Sequence, residues 1–139
     1  MSVERESLVA LASEACRNAY APYSGIHVGA AIRSATGALY TGTNVENAAY
    51  PLGNCAEASA IAAGVRAEGG GFSIAETAVW ALDDRGRTIA ISPCGGCRQR
   101  LREFAVDGNV SVHFPWRDGH MHTASVDELL PYAFELPDR

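Results

Sequence analysis

Hydrophobic positions along this 139-residue chain change their period several times. Between residues 4 and 19, Leu8, Leu11, Ala12, Ala15, Cys16 and Ala19 recur at the three- and four-residue spacing of one helical face. Tyr20-Ala21-Pro22-Tyr23-Ser24-Gly25 concentrates breakers and ends that helix. Residues 26–34 (IHVGAAIRS) read as a strand, Thr36-Gly37 as a turn, and 38–45 (ALYTGTNV) as the return strand of a hairpin. Asn54 is expected to cap a helix over 55–67, which Gly69, Gly70 and Gly71 close because three glycines continue a helix only at high entropic cost. Residues 74–82 (IAETAVWAL) have the composition of a buried strand, followed by a turn at Asp83 to Arg87 and a short extension over 88–91. Pro93 stands where a helix start tolerates it, and 94–106 carries a helical pattern with Leu101, Phe104 and Ala105. Residues 109–114 (NVSVHF) alternate as a strand, Asp118-Gly119 turns, 120–124 forms a last strand, 125–130 (SVDELL) a short helix, and the tail from Pro131 has no pattern.

Helices interleaved with five strands predict an α/β fold: a three-layer α/β/α sandwich around a mixed five-stranded sheet. The length suits one domain over residues 1–139, large enough to bury about two thirds of its unfolded surface without staples.

Composition narrows the function. A hydrophobic content of 47% and a charged content of 19% describe an ordinary globular protein. The net charge is −5, every basic residue other than histidine is Arg, and no basic stripe exists. Such a surface is poorly suited to a phosphate backbone, so nucleic acid is excluded as a partner and a small neutral or cationic substrate is expected. No apolar run approaches the roughly 20 residues of a membrane span, and the N-terminus MSVERESL is charged where a signal peptide is apolar. A cytoplasmic protein without a membrane partner is therefore expected, and its four cysteines do not read as a disulfide framework. Cys16 belongs to the first helical stripe and reads as a small buried apolar residue.

The other three cysteines carry chemistry. Cys55-Ala56-Glu57 lies at one predicted helix start and Pro93-Cys94-Gly95-Gly96-Cys97 at another. Cys94 and Cys97 are three apart and share a helical face. Thiolates are favoured at helix N-termini by the dipole and the unpaired N–H groups. Three protein ligands on a tetrahedral Zn²⁺ leave a fourth position for water, as in catalytic rather than structural sites. Glu57 is close enough in sequence to reach that water without being a ligand. Two other uses of these residues stand beside this one. Cys94 and Cys97 could form a redox pair, although such a pair needs no Cys-x-Glu partner. A histidine, His27, His113, His120 or His122, could close a structural zinc site, although none is spaced as a ligand pair with a cysteine. His-or-Cys, x, Glu followed by Pro-Cys-x-x-Cys is the general signature of zinc-dependent deaminases, and CAE at 55–57 with PCGGC at 93–97 matches it.

From about Tyr20 to Phe134 the chain resembles the small homotetrameric cytidine deaminases. The resemblance is carried by YAPYSG at 20–25, VGAA at 28–31, NVENAAY at 44–50, CAE at 55–57, SPCGGCRQ at 92–99 and ELLPYAF at 128–134. It implies that Cys55, Cys94 and Cys97 bind Zn²⁺, that Glu57 shuttles protons, and that Asn44 and Glu46 hydrogen-bond the ribose hydroxyls of a nucleoside. Ile26, Ala48, Tyr50, Ala56 and Phe134 complete the implied substrate-binding set, with Ala48, Tyr50 and Phe134 approaching a neighbouring subunit's pocket. The implied reaction is hydrolytic deamination of cytidine or 2′-deoxycytidine to the uridine product and ammonia. Two positions depart from the family. Arg usually follows Cys-Ala-Glu and offsets thiolate charge, but here the residue is Ala58, and Arg98, directly after Cys97, is the expected substitute. Ile26 replaces an aromatic residue against the pyrimidine, removing stacking worth roughly 1 kcal/mol. CAEA at 55–58 and HVGAAIR at 27–33 are also similar to blasticidin S deaminases, whereas NVEN at 44–47 is similar to the ribose-binding segment of cytidine deaminases.

Overall fold

The computed structural model describes residues 3–137, so the last two residues of the tail after Pro131 lie outside it. Helix α1 (Val3–Ala15) runs into a single 3-10 turn at Cys16–Asn18. Five strands follow through the chain: β1 (His27–Ser34), β2 (Leu39–Thr43), β3 (Ile74–Leu82), β4 (Ser111–Pro115) and β5 (Met121–Ser125). Helix α2 (Ala56–Glu68) lies between β2 and β3, α3 (Gly95–Phe104) between β3 and β4, and α4 (Val126–Leu129) after β5. The sheet order is β2-β1-β3-β4-β5, with β3 and β4 parallel and the other pairs antiparallel, as the mixed sheet expected from the sequence requires.

Strand alternation decides which helix each residue meets. Ala31 of β1 and Ala78 of β3 face α1, against Leu8 and Ala12. Ala30 and Ile32 face the opposite side and share a larger core with Ala56, Ala60 and Ile61 of α2 and Leu101 of α3. Each fully buried aliphatic side chain in that core contributes on the order of 2 kcal/mol. Cys16 is fully buried as read from the stripe, and burial pushes its thiol up to about 11. A Cβ on Gly42 of β2 would lie 2.4 Å from the Ala60 amide and 2.6 Å from the Ala56 carbonyl oxygen. The missing side chain thus lets the first turns of α2 sit directly on the sheet.

Two local expectations are corrected. Asn54 does not cap α2: the N-cap is Cys55, while the Asn54 backbone bridges to Val45 and its amide reaches the Ser59 hydroxyl at 3.4 Å. Residues 88–91 do not extend β3. The segment makes one bridge, Leu82 with Thr88, beyond the part of β3, Glu76 to Ala78, that pairs with β4. It then crosses the ends of the parallel pair, with the Ile89 amide on the Ala81 carbonyl and the Ile91 amide on the Pro115 carbonyl, both at 2.9 Å.

On the α1 side of the sheet a polar network ties four strands, β1, β3, β4 and β5. Arg33 Nη2 donates to Glu76 Oε1 at 2.8 Å, and Glu76 Oε2 lies 2.5 Å from His113 Nε2. His113 Nδ1 lies 2.7 Å from the Thr123 hydroxyl. Burial works against the Glu76 carboxylate, but Arg33 and His113 hold its pKa below the usual range. His113 is 2% exposed, and burial, aided by the charge of Arg5, holds its pKa below the ordinary histidine value despite Glu76. A neutral ring that donates through Nε2 and accepts from Thr123 satisfies this geometry. The unfolded state then binds the histidine proton more readily, so the stabilisation is complete above pH about 6.5 and is lost as pH falls below it. We expect the melting temperature to fall between pH 7 and pH 5, and His113→Gln to lower it at pH 8 while flattening that fall. Thermal unfolding across this range checks the assignment, and an unchanged pH slope in the variant contradicts it.

Candidate active site and metal centre

Two helix starts build the centre. Cys55 is the N-cap of α2 (φ −81°, ψ 155°) and Cys94 the N-cap of α3 (φ −65°, ψ 166°), both extended as a residue entering a helix must be. Cys97 follows in the first turn of α3, fully buried, whereas Cys55 is half-buried and Cys94 exposed. The three sulfurs lie within 4.8 Å of one another. A tetrahedral zinc with Zn–S bonds of about 2.3 Å needs sulfurs about 3.8 Å apart, so the cluster fits that ion with a small contraction. Among the described residues no histidine joins this cluster. His113 is committed to Glu76 and Thr123, His27 pairs with Asp84 at 2.9 Å, and His122 pairs with Asp118 at 2.8 Å. The third sulfur distinguishes the group from a two-cysteine redox pair.

The open side of the cluster faces a cavity of about 360 Å³, within the range of small-molecule sites. Cys55, Cys94 and Glu57 line it together with Asn44 and Glu46. Ile26, Val28 and Ile91 give it an apolar wall. Glu57, in the first turn of α2, is 4% exposed. Burial raises its pKa above the usual carboxylate range, partly offset by its own amide, the Cys97 sulfur and the charge of Arg100. Among the sulfurs, burial pushes the Cys97 and Cys55 thiols upward, with Glu57 adding repulsion to both. Cys94 is also raised by burial, but the Cys97 amide and the neighbouring sulfurs bring it below the ordinary thiol value.

Segment 44–46 is held from both sides by backbone bridges, Val45 to Tyr20 and Val45 to Asn54. Asn44 Oδ1 accepts from the Val28 amide at 2.8 Å and Nδ2 donates to the Ile26 carbonyl at 2.8 Å. One N–H and one lone pair of that amide remain available. Glu46 Oε1 accepts the Tyr23 and Ser24 amides at 3.0 and 3.1 Å, and its Oε2 accepts the Ser24 hydroxyl at 2.5 Å. The Ser24 side chain in particular keeps Glu46 ionised below the usual range.

The structure therefore brings Ile26, Asn44, Glu46, Tyr50, Ala56 and Glu57 to one cavity. It does not bring Ala48 or Phe134 there. Ala48 is exposed, and Phe134, 67% exposed, is fixed on α3 by Gln99, whose amide group donates to its carbonyl and accepts from its amide. Arg98, expected to offset thiolate charge, is a correction. Its guanidinium is used on the Pro93 carbonyl, the Leu129 carbonyl and the Ser92 hydroxyl, which anchors the turn before α3 to the end of α4. Arg100 is the guanidinium on a sulfur, with Nη1 3.7 Å from Cys97 Sγ. Its i+3 spacing from Cys97 is a signal the sequence carried. Ser24, Val28 and Ile91 also line the cavity. Ser24 stands in the YAPYSG stretch, but its partner Glu46 lies 22 residues away, a pairing that only the fold creates.

Comparison with known proteins agrees with this geometry. Residues 2–113 match the family described as the cytidine and deoxycytidylate deaminase zinc-binding region. A cytidine deaminase of Sporosarcina psychrophila is 40% identical over 133 residues, covering 96% of this chain and 93% of that protein. One of Halalkalibacterium halodurans is 35% identical over 136 residues, covering 98% of each. Among solved structures, the cytidine deaminase of Burkholderia pseudomallei superposes with a TM-score of 0.80 at 35% identity, over 96% of this chain and 100% of the other. That of Mycobacterium tuberculosis gives 0.76 at 35% identity, over 97% and 100%. With its three-cysteine cluster, its five-stranded sheet and a family match spanning most of its length, the chain belongs to the cytidine and deoxycytidylate deaminase family.

Proposed function

We propose that this chain, folded as one domain over residues 1–139, hydrolytically deaminates cytidine and 2′-deoxycytidine in cytoplasmic pyrimidine salvage and acts as a homotetramer. The observation that carries the reading is the meeting, in one cavity, of two cysteines of the metal cluster and buried Glu57 with Asn44 and the ionised Glu46. The first group suits the base and the second suits hydroxyls of a sugar. A carboxylate with spare lone pairs favours a substrate whose sugar carries free hydroxyls over one that lacks them.

Zinc bound by Cys55, Cys94 and Cys97 supplies an activated water and electrostatic stabilisation. Glu57 moves the protons. Its raised pKa brings its proton affinity nearer to neutrality, where a carboxyl can both take and give a proton, here to ring N3 and then to the departing ammonia. Ile26, Val28 and Ile91 exclude water from the ring, while Ala56, which has no side chain beyond Cβ and is fully buried, leaves room beside the cluster. Asn44 orients the sugar and at the same time fixes the backbone at Ile26 and Val28, so the base wall and the sugar site are positioned by one side chain.

The tetramer reading rests on apolar surface. Tyr23, Ile26, Val45, Tyr50 and Leu52 stand between 43% and 77% exposed on the segments that form the cavity, and Tyr132, Phe134 and Leu136 project from the tail. Exposed apolar side chains that gather, as Tyr23 and Tyr50 do with ring centroids 6.2 Å apart, support an interface. The Gln99 clamp and the Arg102–Glu135 ion pair at 2.8 Å hold the tail in a fixed place on α3, from which Phe134 is available to a neighbour's cavity.

An absorbance assay of the purified protein with cytidine, 2′-deoxycytidine and blasticidin S tests the substrate reading. The two nucleosides should be converted with release of ammonia; conversion of blasticidin S alone contradicts it. In the same assay Glu57→Gln should lower kcat by about 10³-fold or more while zinc content stays that of the wild type. A variant within tenfold of the wild-type rate sinks the proton-transfer role. For the interface, sedimentation should show four chains per particle, and Phe134→Ala should raise KM about tenfold with zinc content unchanged; a fully active monomer contradicts the shared site.

A further inference from the structure

We infer that Arg100 is the residue that balances the charge of the loaded cysteine cluster and thereby sets how tightly this chain holds zinc. The inference rests on Cys55, Cys94 and Cys97 being the ligands. Three thiolates on one divalent ion leave a net charge of −1, and the Glu57 carboxylate stands beside them in the same cavity wall. Excess negative charge in a half-buried site needs a cation or it weakens the metal. Ala58, next to Glu57 on α2, offers none.

Helix α3 carries three arginines, and the structure gives each a different task. Arg98 ties Pro93 and Ser92 to Leu129. Arg102 pairs with Glu135. Arg100 lies one turn after Cys97, and side chains on a helix lean back toward its N-terminus, here toward the sulfurs. Its Nη1 is 3.7 Å from Cys97 Sγ. The space it occupies is left open by Gly96: a Cβ there would stand 3.1 Å from Arg100 Nη1 and 4.0 Å from Cys94 Sγ. The guanidinium is thus next to the turn that carries two of the three sulfurs. Among the described residues no carboxylate lies within ion-pair distance of Arg100, so its direct anionic partner is the Cys97 sulfur, while Glu57 feels its charge from further off. The position is exposed, which leaves the pairing open to screening by salt.

Arg100 acts through the ligands and is a positioning residue, so the test reads metal affinity directly. Zinc dissociation constants are measured by competition with a chromophoric chelator for the wild type, Arg100→Gln, Arg100→Lys and a charge-matched control, Arg66→Gln, at the far end of α2. Arg100→Gln should raise the dissociation constant about tenfold. Arg100→Lys, which keeps the charge, should stay within about threefold of wild type, and the control should not differ from it. Raising salt from about 0.05 to 0.5 M should narrow the gap between wild type and Arg100→Gln. The metal-free proteins should melt together. If Arg100→Gln binds zinc within twofold of wild type, or Arg100→Lys is as weak as Arg100→Gln, charge balance by Arg100 is wrong. A wild-type protein that takes up no zinc through its cysteines overturns the ligand assignment itself, an outcome the wild-type titration separates from the first.

Discussion

Three sulfurs from two separate helices must reach one point, and most of the architecture serves that requirement. Cys55 and Cys94 are both N-caps, so each sulfur sits where a helix dipole and free amides favour an anion. Both helices lie on the same side of the sheet and share one core, in which Ala56 and Ala60 of α2 meet the same cluster as Leu101 of α3. The close approach of α2 to β2 at Gly42 and the passage of 88–93 across the ends of β3 and β4 deliver the two helix starts together. A catalytic cavity outside the ends of strands in an α/β sheet is the general solution for such folds.

The same constraint creates an electrostatic problem, and the polar side chains are divided around it. On the α1 face, hydrogen bonds join Arg33 to Glu76, Glu76 to His113 and His113 to Thr123. On the other face the cysteines and Glu57 are concentrated in a setting that burial makes unfavourable for negative charge. A site in which burial shifts thiols and a carboxyl away from their ordinary ranges is the setting expected of catalysis rather than of mere stability. Arg98 and Arg100, two positions apart on α3, illustrate how sharply geometry partitions similar residues: one guanidinium satisfies backbone carbonyls, the other faces a sulfur.

Much of this was legible in the residues. Period changes located the five strands and three long helices, because each has a face that must be buried, and Cys-x-Glu with Pro-Cys-x-x-Cys named the centre. What the sequence did not disclose lies in long-range contacts. Ser24 reaching Glu46, and Gln99 holding Phe134, join segments 22 and 35 residues apart, and nothing local marks them. Asn54 has a better local capping propensity than Cys55, yet its backbone is drawn into a bridge with Val45 and the N-cap of α2 falls one residue later. Residues 88–91 read as a short extension, but after the Thr88 bridge their hydrogen bonds go to the ends of β3 and β4, at Ala81 and Pro115. Adjacency to Cys97 points to Arg98, whereas on a helix the residue three positions on, Arg100, shares the face.

The central claim is that three cysteine sulfurs hold zinc with one coordination position left open to the cavity. X-ray absorption at the zinc edge of the purified protein tests it most directly. Three sulfur neighbours at about 2.3 Å and one oxygen or nitrogen neighbour at about 2.0 Å are predicted. A shell of four sulfurs, or one with fewer than three, contradicts it.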